Sequence, residues 1–273
     1  MTHHFIEYKA AKIHYTQSGK GEVLVLLHGF LEDSRMWTFV KKYLPSNLRI
    51  ICVDLFGHGR SEGVGYIYSM DEMAEAVYAV LQNERIKRIH VAGHSMGGYV
   101  ALALGEKYPD AIRSLILVHS TARADSTAKQ ADRDRAIALV KQDHRGFVSH
   151  AIPLLFSEKA RTKPHKAIAT LQKRALEIEP RSIAASLEGM KVRPDREVLL
   201  HFAPYPIAMI SGKTDTVIPR DQSDEQMKAP NTYGYWLSTA HMGPWELPKK
   251  TAEIIKSFID ELKRRKKLEA RSL

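Results

Sequence analysis

The amino-acid sequence predicts an α/β fold in which helices flank a mostly parallel central sheet. Short, nearly continuous apolar runs recur along the chain, and such runs are typical of strands buried on both faces of a sheet. Segments with helical periodicity separate the runs, and strands that alternate with helices form parallel sheets with right-handed crossovers. The alternation stops between residues 121 and 204, where only helical patterns occur. The sequence therefore predicts an inserted helical cap, which we call the cap segment.

The first half of the chain contains an antiparallel pair followed by four buried strands. Residues 5–15 alternate loosely between polar and apolar, as in a short antiparallel pair, and residues 18–21 favour a turn. Apolar runs then predict strands at residues 23–27, 50–53, 89–92 and 115–118. The intervening periodicity predicts helices at residues 36–44, 69–83 and 96–108. The second of these begins with the capping residues Ser69 and Glu72.

The second half contains the cap segment and the return to the α/β pattern. Polar helical patterns at residues 128–141 and 162–178 belong to the cap segment. The sequence then predicts a strand at 207–212, a helix at 221–227, a strand at 232–237 and a helix at 251–267. We therefore assign residues 1–120 and 205–273 to the core, and residues 121–204 to the cap.

The composition excludes several classes of protein. Among the 273 residues, no window approaches the roughly 18 apolar residues that a membrane-spanning helix needs, which excludes an integral membrane protein. The single cysteine, Cys52, can form neither an internal disulfide nor a cysteine-rich zinc site, and its apolar neighbours indicate a buried thiol. The first residues lack the continuous apolar stretch of a secretory signal, so we expect a cytoplasmic location.

The formal net charge of +10 is concentrated in two segments. The cap segment carries +6 and residues 263–273 carry +5, whereas the rest of the chain is close to neutral. We interpret the basic tail as a solvated helix end, because runs of like charge usually face water and no nucleic-acid motif accompanies this one. The basic cap segment raises the hypothesis that the substrate is anionic.

Residues 93–97 read Gly-His-Ser-Met-Gly and match the G-x-S-x-G pattern of a nucleophile elbow. They stand between a predicted buried strand and a predicted helix, which is the context that this motif requires. A strained turn there exposes the serine hydroxyl, and the flanking glycines avoid collisions. The helix that begins at Met96 directs its first amides toward an anion forming at Ser95. We therefore predict Ser95 as a nucleophile.

A serine hydroxyl needs a histidine to take its proton and a carboxylate to orient that histidine. The expected chain order is serine, acid, histidine. Asp215 follows the predicted strand at 207–212, and His241 follows the strand at 232–237. The predicted catalytic residues are therefore Ser95, Asp215 and His241.

Other acids and histidines are assigned to structural roles. Asp221 and Asp224 are interpreted as charges at the start of a helix, and His94 is expected to point away from the position of the base. Four histidines of the cap segment are interpreted as surface or packing residues: His144, His150, His165 and His201.

An oxyanion in this chemistry requires two backbone donors. We predict the N–H groups of Met96, directly after the nucleophile, and of Phe30, in the loop after the first parallel strand. We interpret His28 as a hydrogen bonder that braces this loop. Candidate apolar residues of the substrate pocket, which would fit the protein core equally well, are Phe30, Trp37, Met96, Met242 and Trp245.

The chain resembles the α/β-hydrolase superfamily. The motifs His28-Gly29-Phe30, Gly93-His94-Ser95-Met96-Gly97-Gly98, Gly212-Lys213-Thr214-Asp215 and Ala240-His241 occur in the family's order, and the resemblance covers nearly the whole chain except the cap. It implies the α/β-hydrolase fold, and it implies that the turn Gly57-His58-Gly59-Arg60-Ser61 is structural. The most similar subgroups are small carboxylesterases, enol-lactonases of the 3-oxoadipate type and cofactor-free haloperoxidases or perhydrolases.

Two positions depart from neighbouring families. Epoxide hydrolases and haloalkane dehalogenases carry aspartate where this chain has Ser95, so those chemistries are disfavoured. The menaquinone-pathway members usually carry arginine after the paired glycines, whereas Tyr99 stands here.

We therefore expect a serine hydrolase that cleaves a small carboxylic ester or lactone through an acyl-enzyme. No metal or organic cofactor is expected, and neither is a nucleic-acid or membrane partner; the oligomeric state is left open. Perhydrolysis, cofactor-free halogenation and C–C hydrolysis remain alternatives with the same three residues. The alternative from another functional class is a ligand-sensing protein that keeps this fold but catalyses little substrate turnover.

Overall fold

The computed structural model describes residues 2–162 and 166–269, and an eight-stranded sheet lies at the centre of this part of the chain. The strand order is β1-β2-β4-β3-β5-β6-β7-β8. β1 and β2 pair antiparallel, β2 joins β4 antiparallel, and all other pairs are parallel. The predicted mostly parallel sheet is confirmed. The strands are β1 (Thr2–Tyr8), β2 (Ala11–Ser18), β3 (Glu22–Leu27), β4 (Leu48–Val53), β5 (Ile89–His94), β6 (Ile112–Val118), β7 (Ile207–Gly212) and β8 (Thr232–Leu237).

The central strands are buried because their apolar runs face helices on both sides. Every residue of β5 and β7 is buried, whereas the edge strand β1 has no buried residue between 2 and 8. The parallel register pairs His94 of β5 with Val118 of β6, and Val118 with Ile210 of β7. The carboxyl ends of these strands therefore meet at one edge of the sheet, which we call the C-terminal edge. Residues that follow these strands are brought together there.

The described helices are α1 (Thr38–Lys41), α2 (Met70–Asn83), α3 (Met96–Lys107), α4 (Thr127–Leu154), α5 (Glu158–Arg161), α6 (Lys166–Ala175), α7 (Pro180–Lys191), α8 (Glu197–Phe202), α9 (Arg220–Gln226), α10 (Gly243–Glu246) and α11 (Pro248–Glu269). Those predicted at 69–83, 96–108, 221–227 and 251–267 are confirmed within three residues as α2, α3, α9 and α11.

The predictions for residues 36–44 and 128–141 were wrong in extent. Residues Ser34–Trp37 form a 3₁₀ turn, because the Asp33 side chain accepts from the Arg35 amide and caps it, and only the short α1 follows. The helix α4 continues to Leu154 through a kink at Asp143, whose side chain accepts from the Gly146 amide and so starts the second part.

The cap segment carries α4 to α8 between β6 and β7. The predicted helix at 162–178 is represented by α6, and residues 163–165, with His165, lie outside the described residues. The second half of the segment rests on the core. The Tyr68 amide donates to the Ala185 carbonyl of α7 at 3.0 Å, and the Arg196 guanidinium pairs with acids of α2 and α3 at 2.8 Å each.

Cys52 lies inside β4 with 1% of its surface exposed. Burial raises the pKa of its thiol to about 11, so the thiolate is scarce at neutral pH. Among the described residues, no helix combines the length and the apolar composition needed to cross a bilayer.

Residues 264–268 of the basic tail are exposed, as predicted, but Lys263 and Arg265 also contact the sheet. Lys263 Nζ lies 2.5 Å from the Glu22 carboxylate at the start of β3, and Arg265 donates to the Tyr233 hydroxyl of β8 at 2.7 Å. The reason is that α11 runs back along the sheet, so its basic end reaches the edge where the strands begin. Residues 270–273 lie outside the described part of the chain.

Candidate active site

Ser95 forms a sharp turn between β5 and α3. Its φ of +48° and ψ of −114° lie outside the regions that serine normally adopts, and such strain costs on the order of 1–3 kcal/mol. Two hydrogen bonds from β6 and the loop after it hold the turn: the Ser95 amide donates to the Val118 carbonyl at 3.0 Å, and the Ser120 hydroxyl donates to the Ser95 carbonyl at 2.8 Å. This is the sharp strand-to-helix turn that the G-x-S-x-G motif predicts, and we call it the elbow.

The glycines on either side of Ser95 make this turn possible. A Cβ on Gly93 would lie 2.1 Å from the Gly97 carbonyl oxygen, and a Cβ on Gly97 would lie 2.5 Å from the His28 carbonyl oxygen. Both contacts are with backbone atoms, which cannot rotate away. The elbow therefore excludes any side chain at these two positions.

Asp215 and His241 meet at the C-terminal edge, as their positions after β7 and β8 suggested. The His241 Nδ1–H donates to Asp215 Oδ2 at 2.9 Å, and both side chains are buried. The other carboxylate oxygen accepts from the amides of Val217 and Ile218 at 2.9 and 3.0 Å. Burial alone would raise the pKa of Asp215, but the charge of His241 and the hydrogen bonds from His119 and His241 hold it well below its usual range. Asp215 is therefore a carboxylate that fixes the orientation of the imidazole.

His119 is a site residue that the sequence analysis missed. Its Nδ1–H donates to Asp215 Oδ2, the same oxygen that His241 uses, at 3.1 Å. The side chain is fully buried, and burial lowers the pKa of His119 to about 4, so the ring is neutral at physiological pH. Its position directly after β6 could have indicated it, because β6 ends at the same edge as β5 and β7.

The ligand atoms of His119, Asp215 and His241 lie within 4.8 Å of one another, a spacing that could hold a metal ion. Two hydrogen bonds to one carboxylate oxygen already account for this arrangement. The expectation that the protein needs no metal stays a prediction.

A second buried acid–histidine pair lies beneath the elbow. His94 donates from Nδ1 to Glu32 at 2.7 Å and from Nε2 to the His241 carbonyl at 2.9 Å, so its ring carries protons on both nitrogens. The ring centres of His94 and His241 are 5.1 Å apart. Burial opposes both charges of the pair, but their mutual attraction lowers the pKa of Glu32 and raises that of His94. The pair places the elbow next to the His241 loop.

Glu32, which was not among the predicted site residues, lies in the loop after β3 and also binds the backbone of that loop and a side chain of α10. It accepts from the Gly29 amide at 2.9 Å and from the Trp245 indole at 3.2 Å. One carboxylate therefore connects three loops of the C-terminal edge. An acid directly after the apolar residues Phe30 and Leu31 was the signal that could have found it.

The two predicted oxyanion donors, Phe30 in the loop after β3 and Met96 at the start of α3, have no competing partners in the described chain. Neither the Phe30 amide nor the Met96 amide donates to another group of the described chain. His28 braces this loop as predicted, since its Nδ1–H donates to the Gly29 carbonyl at 2.8 Å and its Nε2 accepts from the Leu55 amide at 2.9 Å.

The pocket residues suggested by the sequence lie in different surroundings. Trp37, Met96 and Met242 are fully buried among core side chains, and Phe30 is partly buried. Trp245 lines a groove of about 530 Å³ between α6 and the core, where its ring packs edge-on against Phe39. The role of these residues in binding stays a prediction.

Another cavity, of about 500 Å³, lies between the cap segment and the loop after β7. Tyr99 lines it, although Ser95 does not. Its charged lining is balanced, with Arg123, Lys129 and Arg193 against Asp125, Asp221 and Glu225.

The chain belongs to the α/β-hydrolase fold family, whose model matches residues 22–246. A pimeloyl-[acyl-carrier protein] methyl ester esterase of Nitrosomonas europaea is 29% identical over 222 residues, which cover 78% of this chain and 85% of the relative. A thermophilic esterase of Thermogutta terrifontis, solved with malate bound, superposes with a TM-score of 0.89 at 27% identity, covering 96% of this chain and 99% of that one. An enol-lactonase of Burkholderia xenovorans shares the fold, with a TM-score of 0.86 at 20% identity and coverage of 94% and 99%.

Proposed function

We propose that the protein is a serine hydrolase that cleaves a small carboxylic ester or lactone through an acyl-enzyme. The observation that carries the proposal is the buried Asp215–His241 hydrogen bond of 2.9 Å at the same sheet edge as the strained Ser95 elbow. A carboxylate that orients a histidine at the same edge of the sheet as a serine hydroxyl is consistent with the arrangement that acyl transfer requires. The similarity to a methyl ester esterase and to a thermophilic esterase supports an ester as the substrate.

In the first half of the reaction, Ser95 Oγ attacks the substrate carbonyl carbon while His241 Nε2 takes the hydroxyl proton. The oxyanion that forms is held by the amides of Phe30 and Met96, which have no other partner in the described chain. Asp215 stays ionised and stabilises the imidazolium. His241 then gives its proton to the leaving alcohol oxygen, and the acyl group remains on Ser95.

In the second half, a water molecule replaces the alcohol. His241 takes one proton from the water, the hydroxide oxygen bonds to the acyl carbon, and the bond to Ser95 Oγ breaks as the serine regains a proton. The products are a carboxylic acid and the free enzyme. We take the cap segment as the cover of the substrate, because cavities of about 500 and 530 Å³ lie between it and the core.

The proposal is tested by hydrolysis of 4-nitrophenyl esters of increasing acyl length, combined with labelling by a fluorophosphonate. We expect turnover of the shorter esters and a single covalent adduct on the peptide that contains Ser95, because only an activated serine reacts with this probe. Mass spectrometry locates the adduct. Hydrolysis without an adduct at Ser95 would assign the activity to another group. The absence of both hydrolysis and the adduct would refute the proposal.

His119→Ala is expected to lower kcat about tenfold with little change in KM, because Asp215 loses one of the donors that hold it as a carboxylate. The measurement is steady-state kinetics on the preferred ester. His90→Ala is the matched control, since His90 is also a buried histidine but lies at the other edge of the sheet. An equal loss of kcat in both variants would indicate a general packing effect and no role for His119 in the site.

A further inference from the structure

A cavity of about 460 Å³ lies at the edge of the sheet opposite Ser95. Its walls come from the beginnings of β3, β5 and β6 and from the last turns of α11. We call it the basic cavity. The described chain contributes five cationic side chains to its lining and one acid, Glu22, and the cations are Arg88, Arg113, Lys263, Arg265 and Lys266.

Most of this positive charge is not neutralised within the described chain. Lys263 pairs with Glu22, and Arg265 pairs with Glu261 on its own helix. Arg88, Arg113 and Lys266 have no carboxylate within ion-pair distance among the described residues. Like charges held together in a concave site repel one another unless an anion enters.

Two buried nitrogen atoms in the lining lack partners among the described residues, and Glu22 Oε2 has only its ion pair with Lys263. His90 is only 4% exposed; Ser114 Oγ lies 2.7 Å from its Nδ1, and its Nε2 has no partner in the described chain. The Nε atom of Arg113 is likewise buried without a partner. When the Ser114 hydroxyl donates to Nδ1, the proton of the neutral imidazole is on Nε2. Both orphaned atoms are then N–H donors, and an anion in the cavity supplies the acceptor that they lack.

We propose that the basic cavity binds the phosphate group of a small phosphorylated molecule. A phosphate presents several acceptor oxygens and up to two negative charges, which suits the N–H donors of His90 and Arg113 together with the ammonium of Lys266. The single acid, Glu22, is held by Lys263 and so repels the phosphate less. Tyr233 and Leu262 complete the lining and offer an apolar wall to an organic part of the ligand.

The test is isothermal titration of the full-length protein with pyrophosphate and, separately, with phenyl phosphate, in about 0.15 M salt. We expect at least one probe to bind with a submillimolar dissociation constant. Tighter binding of phenyl phosphate would identify an organic phosphate as the ligand class, and tighter binding of pyrophosphate a polyphosphate. No heat from either probe at about 1 mM would overturn the proposal.

Matched variants separate a built site from general attraction to a basic surface. Arg113→Gln is expected to weaken binding about tenfold and Lys266→Gln about threefold. Lys267→Gln removes the same charge from the next residue of α11, which does not line the cavity, and should leave the affinity within about twofold. Equal weakening by Lys266→Gln and Lys267→Gln would contradict the proposal.

Two further measurements locate the bound probe. The imidazole ¹⁵N signal of His90 Nε2 should shift on addition of the probe, and it reports the site even if the Arg113 variant folds poorly. Ser95→Ala should bind the probes as tightly as the wild type, because Ser95 lies at the opposite edge. An unchanged His90 signal, or loss of binding in Ser95→Ala, would place the probe elsewhere and overturn the inference.

Discussion

Ser95→Ala is expected to lower kcat for ester hydrolysis by at least about 10⁴-fold while the protein remains folded. Removal of the hydroxyl abolishes the acyl-enzyme route, and only the oxyanion donors and substrate binding remain to assist water. Alanine carries the same Cβ as serine, so the strain at a φ of +48° is unchanged and stability should stay within roughly 0.5 kcal/mol. Steady-state kinetics and urea denaturation measure the two effects.

Ser120→Ala is the control for this substitution. It also removes a buried hydroxyl, one that donates to the Ser95 carbonyl at 2.8 Å and takes no part in the proposed reaction. We expect it to cost on the order of 1 kcal/mol of stability and less than about tenfold in kcat. Ser95→Gly should lose the activity like Ser95→Ala but gain about 1 kcal/mol of stability, since glycine adopts a positive φ freely. Activity of Ser95→Ala above about one hundredth of the wild type would refute Ser95 as the nucleophile.

Glu32→Ala is expected to destabilise the protein by about 3–5 kcal/mol, the largest stability effect that we predict for a single substitution. The carboxylate accepts hydrogen bonds from His94, Gly29 and Trp245, and its removal leaves a buried imidazolium without its counter-charge. Urea denaturation at pH 6 measures the loss. Glu177→Ala is the control, because the Glu177 side chain is 58% exposed and its pairing with Arg35 should contribute less than about 1 kcal/mol. A loss below about 1 kcal/mol for Glu32→Ala would show that the pair is not ionised.

The stability that the Glu32–His94 pair contributes should depend on pH in a defined direction. Burial by itself raises the pKa of Glu32 and lowers that of His94. The attraction between the two charges is stronger than this effect of burial. The pKa of Glu32 therefore lies below its ordinary value of 4.5, and that of His94 lies above its ordinary value of 6.5. The contribution of Glu32 to the free energy of unfolding is fully present above pH 4.5 and is lost as the pH falls through the lowered pKa of this residue. The contribution of His94 to the free energy of unfolding is fully present below pH 6.5 and is lost as the pH rises through the raised pKa of this residue. The difference between wild type and Glu32→Ala should therefore be largest between these two values.

The sheet and the proposed catalytic residues could be predicted because their signals are local in the sequence. A strand buried on both faces appears as a continuous apolar run, and β3, β5 and β7 were found in this way. Ser95 lies in a motif whose glycines the backbone geometry requires. Asp215 and His241 could be placed because each follows a strand of the parallel sheet.

Glu32 and His119 each follow a strand of the parallel sheet, so their location was open to prediction, but their pairing was not, because their partners are distant in the chain. Glu32 meets His94, 62 positions away, and His119 meets Asp215, 96 positions away. No periodicity or local motif encodes such a pairing, which depends on the order of the strands in the sheet. The contact of Arg196 with α2 and α3 could not be predicted for the same reason. The sequence predicts the helices of the cap segment one by one and gives no information on where they contact the core.

The buried position of Cys52 makes the native protein inert toward maleimides and other thiol-reactive dyes. Since this cysteine is the only one in the sequence and its thiolate is scarce, a cysteine introduced at Thr170 of α6 would be the unique attachment point for a fluorophore or spin label. No background substitution would be needed to prepare such a protein. Such a label would report by spectroscopy whether α6 changes its position relative to the core when a substrate or inhibitor binds.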